Sequence, residues 1–226
     1  MVAKRGFTLI EILTVIGVVA VVTAISLAML SVARGHATRV ATAAKVQQCG
    51  AAILAASEQN GQRFPVVQPL PGSQMVEMRT SDATHTFQYF TQVTMWNVAV
   101  EVIGGGKVEG ATRLDKPVQA VWLRAPSDFY FGQSFMAGPE YWRAGAKQSR
   151  SMWRAVGVGE VLVPSKKALI HDPLEGPSGA SVCFVDGHVA NHVLRMASAG
   201  VPNSLDGQIN RPLLTTVDGV RGRDYP

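Results

Sequence analysis

The sequence has few cysteines and few charged residues. It has 2 cysteines among 226 residues, too few for a disulfide framework or a cysteine-rich zinc module. Cys49 and Cys183 lie 134 positions apart, and they fit either one bridge in an exported chain or two unrelated buried thiols. Charged residues make up 16% of the chain, against about 25% in an ordinary soluble domain. With 47% apolar residues, the chain is not expected to be intrinsically disordered.

The basic charge of the chain is not concentrated either. The formal net charge of +5 arises from basic residues scattered along the sequence, with adjacent pairs at Lys4-Arg5 and Lys166-Lys167. Aromatic residues make up only 7%, and no basic stripe alternates with them. Nucleic acid is therefore not expected as a partner.

A long apolar run near the N-terminus is the strongest signal. Residues 7–33 carry a single charge, Glu11, and Arg34 follows them. About 20 apolar residues cross a bilayer as a helix, because lipid forces each backbone group to hydrogen-bond within its own segment. A cleaved secretory signal has a core of only about 7–15 residues. A plain signal anchor explains the length of the run but not Glu11.

The residues around Gly6 account for both the length and the carboxylate. The sequence Lys4-Arg5-Gly6-Phe7-Thr8-Leu9-Ile10-Glu11 resembles the prepilin cleavage motif of type IV pilins and type II secretion pseudopilins. The resemblance implies that a membrane peptidase cuts between Gly6 and Phe7, and that Phe7 becomes the N-methylated terminus. It also makes Glu11 the fifth mature residue, where the family has its glutamate.

Glu11 is the candidate residue for assembly. A carboxylate in a membrane helix costs up to about 3 kcal/mol at the bilayer centre, so it indicates a function. After cleavage Glu11 has no basic residue within a helical turn, and we expect the α-amine of Phe7 to be its counter-charge, from its own or a neighbouring subunit. Such a charge pair gains strength where helices pack away from water. A side chain that snorkels to the interface is the structural alternative.

The helical pattern continues beyond the apolar run. Apolar residues recur at helical spacing against polar ones, and no proline occurs before Pro65. Asn60 and Gly61 are typical of a helix C-terminus. Residues 58–65 resemble the segment that closes the first helix in many pseudopilins. The sequence therefore predicts one helix over 7–60, about 80 Å long.

The family often has a proline about two-thirds along the membrane span, and this sequence has none. Without that proline, the helix is expected to be straighter or to bend at Gly17 or Gly35. Each glycine is either a point of local melting, because glycine lowers helix propensity by about 1 kcal/mol, or a place for close helix packing.

From residue 61 the pattern changes to short β-type runs and turns. Strand candidates are 87–93, 94–103, 117–123, 159–163 and 166–171. The clearest hairpin joins 180–185 to 188–194 through Asp186-Gly187, which suits a type I′ turn. Residues 129–154 are predicted to be loop-rich, with partly buried aromatic residues. The expected fold class is α+β and pilin-like, with the long helix packed on a small antiparallel β-sheet head.

The hairpin also resembles a signature of a large bacterial group of prepilin-like proteins. In that group a histidine precedes a strand that ends in Asp-Gly, with the spacing H-X9-DG. Asp186 and Gly187 match the end of the signature. Fourteen residues separate His171 from Asp186, so this histidine departs from the spacing.

Metal binding has limited support in the sequence. Histidine and carboxylate ligands suit several cations, and such residues gather near the hairpin: His171, Asp172, Asp186, His188 and His192. On a strand, His188 and His192 would lie too far apart to chelate one ion together. No metal or cofactor is expected. Calcium is the alternative that the pseudopilin resemblance implies, with Asp206, Asp218 and Asp224 as candidate ligands but without EF-hand spacing.

Enzyme chemistry has little support as well. The sequence has no G-x-S-x-G elbow, and Gly104-Gly105-Gly106 lacks the ending of a phosphate loop. The chain is therefore not expected to be an enzyme.

These features predict five segments and one main role. The segments are a leader peptide (1–6), a transmembrane and assembly helix (7–33), its amphipathic continuation (34–60), a β-rich head (61–198) and an irregular tail (199–226), either mobile or strapped down. We expect a structural subunit of a type II secretion pseudopilus or type IV pilus, in the bacterial inner membrane with its head outside the cytoplasm, and then in a filament. The expected partners are prepilin peptidase, other pilin or pseudopilin subunits, the inner-membrane assembly platform and membrane lipid. The alternatives are a binding module or adhesin at a filament tip, and an exported enzyme with a pilin-like anchor.

Overall fold

A computed structural model describes residues 8–81, 83–105, 128–172, 179–192 and 213–225, with 197, 200, 201 and 203. Its main elements are α1 (Leu9–Gln59), β1 (Met75–Arg79), β2 (Thr84–Gln88), α2 (Gln92–Gly104), β3 (Tyr130–Phe131), β4 (Ala168–His171), β5 (Ala180–Phe184) and β6 (Val189–His192). A long N-terminal helix is followed by small antiparallel sheets, which confirms the predicted α+β, pilin-like layout. The strand candidate at 117–123 lies outside the described residues.

Helix α1 has 51 residues, and at 1.5 Å per residue it is about 77 Å long. The chain divides into two compact units, Met1–Ala41 and Thr42–Pro226, and α1 contributes to both. In the first unit every described side chain up to Thr38 is exposed, including large apolar ones such as Leu9 (82%) and Ile16 (61%). Gly17 and Gly35 both lie inside the unbroken helix.

In the second unit α1 buries a narrow stripe of residues, most of them small. The buried positions recur every three or four residues, which is the spacing of one helix face: Val46, Cys49, Gly50, Ile53, Ala56 and Ser57. The Ser57 hydroxyl donates to the Ile53 carbonyl at 2.8 Å, so its burial leaves no polar group unmatched. Because Cys49, Gly50, Ala56 and Ser57 are small, the helix backbone approaches the rest of the head closely, above all at Gly50.

The main sheet is antiparallel, with its four strands in the order β3-β4-β5-β6. All residues of β4 and β5 are buried, whereas β6 is largely half-buried. Central strands that are covered on both faces read as continuous apolar runs, as in Ala168–His171. Strands β1 and β2 form a separate two-stranded sheet, in which Met75 pairs with Gln88 and Arg79 with Thr84.

The predicted hairpin is present, but its turn differs from the prediction. Strands β5 and β6 are joined through Asp186-Gly187, with the Gly187 amide donating to the Phe184 carbonyl at 2.9 Å. The Phe184 amide donates to the His188 carbonyl at 3.0 Å, so the loop has three residues. A type I′ turn needs positive φ at two residues, and here only Gly187 has one, at 86°. The arrangement is a type I turn followed by a glycine bulge.

The strand candidate 87–93 is right only at Phe87 and Gln88, which end β2, because residues 89–91 form a 3-10 turn and α2 begins at Gln92. Two further strand candidates are wrong. Residues 94–103 lie within α2, which ends where Gly105 adopts a left-handed φ of 65° and donates its amide to the Glu101 carbonyl. Residues 159–163 contain the end of a short 3-10 turn, Val158–Glu160, instead of a strand. Both segments are short apolar runs, and such runs do not separate a buried helix from a buried strand.

The loop-rich segment 129–154 supplies the centre of the core. Its aromatic residues were expected to be partly buried, but most of them are fully enclosed: Phe129, Phe131, Phe135, Tyr141 and Trp142. The Phe64 ring lies 4.3 Å from the Phe135 ring, and the rings of Tyr89 and Trp153 stack at 4.6 Å. Irregular backbone is tolerated here because large rings fill the space around it.

Residues 213–225 of the C-terminal tail are held to the head by a buried ion pair. The Lys167 ammonium lies 3.2 Å from the Asp224 carboxylate and donates to the Thr216 hydroxyl at 2.6 Å. Asp224 also accepts a hydrogen bond from the Ala168 amide at 2.7 Å. Burial lowers the pKa of Lys167, and the adjacent Asp224 opposes that shift.

The close approach of α1 to the sheet makes Gly50 a sensitive position. A Cβ atom on Gly50 would overlap the Cys183 sulfur and lie 3.3 Å from the Cys183 Cβ. We expect Gly50→Ala to reduce the free energy of unfolding of the head by about 1–3 kcal/mol through overpacking. Gly35→Ala on the same helix, where a Cβ meets nothing within 4 Å, should leave head stability unchanged. Denaturant titration of the full chain in detergent, followed by tryptophan fluorescence, measures both, and equal midpoints would contradict this packing.

Candidate functional site

The N-terminus of α1 is closed by two side chains that bind each other. The Glu11 carboxylate, through Oε2, accepts hydrogen bonds from the Thr8 amide at 2.8 Å and the Thr8 hydroxyl at 2.9 Å. In return the Glu11 amide donates to the Thr8 hydroxyl at 3.3 Å. This is a capping box, in which the first residue and the residue three positions later satisfy each other's amides.

The capping box gives Glu11 a local partner that the prediction had missed. The expected partners of Glu11 were charged groups, whereas Thr8 is neutral. The missed signal was the T-x-x-E spacing from Thr8 to Glu11 before an apolar run, which predicts a helix start. Gly6 and Phe7, the predicted cleavage and methylation residues, lie outside the described residues.

In the rest of the apolar first half of α1, polar side chains form hydrogen bonds to the helix backbone. The hydroxyls of Thr14, Thr23 and Ser26 donate to the carbonyls of Glu11, Val19 and Val22 at 2.7–2.9 Å. Such bonds to the preceding turn leave only apolar surface outward. Within the part of the chain that the structure describes, α1 is the one helix long and apolar enough to cross a membrane. Glu11 therefore stands at one end of an otherwise apolar rod.

The other end of α1 is held by a loop of the head. Gly61 and Gln62 have positive φ values of 63° and 62°, which turn the chain away from the helix. The Val158 amide then donates to the Gln62 carbonyl at 2.8 Å, and the Phe64 amide donates to the Val156 carbonyl at 2.9 Å. The residues that resemble a pseudopilin helix end thus form the junction between α1 and the core.

A two-pronged ion pair shapes the loop that holds this junction. Arg154 donates to both Glu160 carboxylate oxygens, at 2.6 and 2.7 Å, and the Gly157 amide donates to Glu160 at 3.0 Å. The Arg154 hydrogen bonds, with smaller contributions from Gly157 and nearby positive charge, lower the pKa of Glu160 to about 2. Bidentate pairs of this kind fix backbone geometry more firmly than a single contact.

Asp186 and Gly187 act together as turn residues in the structure. The Asp186 carboxylate accepts a hydrogen bond from the His188 amide at 3.2 Å and lies 2.6 Å from the His188 Nδ1. The His188 ring stacks on Phe184 at 4.4 Å. These contacts order the hairpin, and Gly187 supplies the left-handed residue that its bulge needs.

The histidines near the hairpin pack as aromatic rings. His192 stacks on Tyr225 at 4.0 Å, and burial, with a smaller effect of His188, lowers its pKa. His171 is buried on β4, where it pairs with Tyr130 and Val182, toward the end of the strand remote from the Asp-Gly turn. Among the residues that the structure describes, no group of three His, Cys, Asp or Glu side chains could hold a metal ion.

Of the three aspartates that are candidate calcium ligands, the structure describes Asp218 and Asp224. Asp224 is buried and bound by Lys167, Thr216 and the Ala168 amide, so its oxygens are already occupied. Asp218 takes a left-handed conformation at the start of a 3-10 turn. Asp206 lies outside the described residues.

Comparison with known proteins agrees with the geometry of the N-terminus. A family model described as the prokaryotic N-terminal methylation motif matches residues 1–27. This is the prepilin-type motif, and it supports a chain that prepilin peptidase processes and that assembles with other pilin subunits. The motif and the apolar helix together fit a membrane-anchored, single-pass protein of pilin-like layout. No curated protein and no solved structure matches the chain.

Removing the Thr8 hydroxyl should loosen the start of α1. We expect Thr8→Val to speed hydrogen exchange of the Glu11 amide about fivefold, since loss of an N-cap costs about 1 kcal/mol. Thr8→Ser keeps the hydroxyl and should exchange at the parent rate. Thr14→Val removes a hydroxyl that bonds only to a carbonyl and is the matched control. The measurement is NMR exchange in micelles, and parent-like exchange in Thr8→Val would rule out the capping box.

The Arg154–Glu160 pair should make head stability depend on acidity. Glu160 has a lower pKa in the folded state than its ordinary value of 4.5, so its stabilisation is complete above that pH and is lost as pH falls toward 2. We expect Glu160→Gln to lower the free energy of unfolding by about 1 kcal/mol at pH 7 and to match the parent near pH 2.

Glu77→Gln provides the control for this ion pair. Glu77 has only an exposed contact with Arg79 at 3.8 Å, so its replacement should be neutral at every pH. Urea titrations at several pH values measure the three chains. A pH-independent difference between Glu160→Gln and the parent would show that the charge of Glu160 contributes nothing.

Proposed function

We propose that this chain is a structural subunit of a type IV pilus or a type II secretion pseudopilus, assembled through α1. The observation that carries the proposal is the exposed apolar half of α1, residues 9–33, with its one carboxylate, Glu11, at the start. The match to the prepilin-type motif over residues 1–27 supports cleavage after Gly6 and methylation of Phe7.

The exposed half of α1 needs a cover in every state of the protein. Monomeric soluble proteins rarely expose continuous apolar surface beyond a few hundred Å². Lipid covers such a surface before assembly, and the same faces of neighbouring helices cover it afterwards. Helices that leave lipid gain through close packing and through polar contacts between them. The apolar rod is thus both the membrane anchor and the core of the filament.

Glu11 supplies the polar contact in this scheme. Both hydrogen bonds from Thr8 go to Oε2, and within the described residues no donor reaches Oε1. That oxygen would accept from an incoming ammonium group, and cleavage creates one, the α-amine of Phe7 on a neighbouring subunit. The low dielectric between packed helices strengthens the pair. The pair would also set the axial position of each new subunit.

The placement of the chain follows from the same helix. We place the apolar half in the bacterial inner membrane and the head outside the cytoplasm, until the subunit enters the filament. Its partners are then prepilin peptidase, other pilin or pseudopilin subunits, the assembly platform and lipid.

The charge of Glu11 can be tested separately from its capping role. Glu11→Gln keeps an oxygen that can accept from Thr8 but removes the negative charge. We expect it to reduce filament yield about tenfold or more, equivalent to roughly 1.4 kcal/mol per added subunit. Glu58→Gln makes the same change on an exposed site of the same helix and should assemble normally. Filament yield is measured in sheared fractions and normalised to membrane-bound subunit.

A processing control completes this test. Gly6→Ala should leave the six-residue leader attached, visible in the intact mass, and should block assembly at the earlier step. Normal yield from cleaved Glu11→Gln subunits would contradict the charge-pair mechanism. The ratio of this chain to other subunits in purified filaments separates a main subunit from a tip-bound binding module.

A further inference from the structure

The two cysteines, distant in sequence, are brought together between α1 and β5. Cys49 lies in the buried stripe of α1, and Cys183 lies in β5, where it pairs with Ile170 and Val189. Both are fully buried, and both are reduced thiols in the structure. The sequence left open one bridge or two unrelated thiols, and the structure places both thiols where α1 meets β5.

The short distances around Gly50 show how closely α1 and β5 approach each other. A Cβ atom on Gly50 would lie 3.3 Å from the Cys183 Cβ and would overlap the Cys183 sulfur. The Cys183 side chain thus points at the α1 backbone at Gly50. Cys49 is the next residue along the helix, and its Cα atom lies only about 3.8 Å from that of Gly50. A disulfide needs Cα atoms within about 7 Å of each other and Cβ atoms at about 4 Å. The space left by Gly50 lets the two thiols share one pocket of the core.

We propose that Cys49 and Cys183 form an intramolecular disulfide that ties α1 to β5 in the exported protein. This inference rests on the proposed function, because it requires the head to fold outside the reducing cytoplasm. The reaction is exchange with the disulfide of an exported thiol oxidoreductase, through a mixed disulfide. One sulfur–sulfur bond forms in this chain, one breaks in the oxidant, and the oxidant leaves with two thiols.

The burial of the thiols determines when this bond forms. Burial raises the pKa of Cys49 and of Cys183 to about 12, and for Cys49 the neighbouring Cys183 adds to the shift. The thiolate is the attacking species, so thiols enclosed in the folded core react slowly. The bond therefore forms while the head folds after export, and a chain that has folded in reducing conditions stays reduced.

The bond would serve the transfer of force along α1. A subunit drawn from the membrane into a filament is pulled by the helix, and the load passes to the contact between α1 and the head. Noncovalent packing of small residues such as Ala56 and Gly50 would bear that load alone in the reduced protein. A Cys49–Cys183 bond closes a loop of 134 positions and removes many conformations from the unfolded chain.

The test uses the full chain from the membrane fraction of the cells that produce it. Cells are harvested in N-ethylmaleimide, and the protein is denatured with more of the reagent and mapped by mass spectrometry before and after reduction. We expect no labelled cysteine before reduction and both labelled after it, with one cross-linked peptide containing Cys49 and Cys183. Cys49→Ser and Cys183→Ser should each show one labelled thiol without reduction.

A stability readout distinguishes a bond from mere protection of the thiols. The oxidised protein should melt about 10 °C above the same chain refolded and kept in reductant. Equal melting temperatures, or a link between Cys49 residues of two subunits, would overturn the inference.

A separate experiment on the membrane topology distinguishes failure of this inference from failure of the proposed function. Protease treatment of spheroplasts reports whether the head lies outside the cytoplasm. Labelled thiols in a protease-accessible head would refute the disulfide and leave the proposed function standing. Labelled thiols in a protected head would refute both, because the head would then not have been exported.

Discussion

The carboxylate of Glu11 is the only charge among the apolar residues of the first half of α1, and everything proposed for assembly depends on how it is solvated. In the structure one of its oxygens is held by Thr8, which also closes the first turn of the helix. This arrangement reduces the cost of keeping a charge at the membrane without neutralising it. A neighbouring ammonium group is then the remaining source of stabilisation, and in the proposed filament the cleaved N-terminus of a second subunit supplies it.

The second half of α1 solves a different problem, the attachment of a head to a long helix. Small residues face the sheet, so the helix backbone comes close to β5, and Gly50 marks the tightest point. At its C-terminal end the helix is stopped by two residues with positive φ and held by backbone hydrogen bonds to residues 156 and 158. The ion pair of Arg154 and Glu160 keeps that loop in shape. The attachment is thus built from several local constraints in addition to apolar area.

Sequence patterns predicted the elements that have a long regular pattern or are bounded by clear turn residues such as glycine. The extent of α1 follows from fifty residues without proline, and its end from Asn60-Gly61. The hairpin around Asp186-Gly187 was found through its glycine, although its loop has three residues. By contrast, Val93, Thr94 and Val98 looked like a strand and belong to α2. There Trp96 is fully buried and donates to the Phe129 carbonyl, a contact that no local pattern contains.

The site shows the same division. The T-x-x-E spacing that ties Thr8 to Glu11 is local, and it was readable although the prediction considered only charged partners. The burial of Asp224 by Lys167, and the meeting of Cys49 with Cys183, join residues more than fifty positions apart. The sequence by itself determined the membrane helix, its carboxylate and the turns, because backbone hydrogen bonding in lipid and the glycine conformations act over a few residues. Only the tertiary structure decided which side chains share a pocket, because that depends on how the chain packs around its aromatic core.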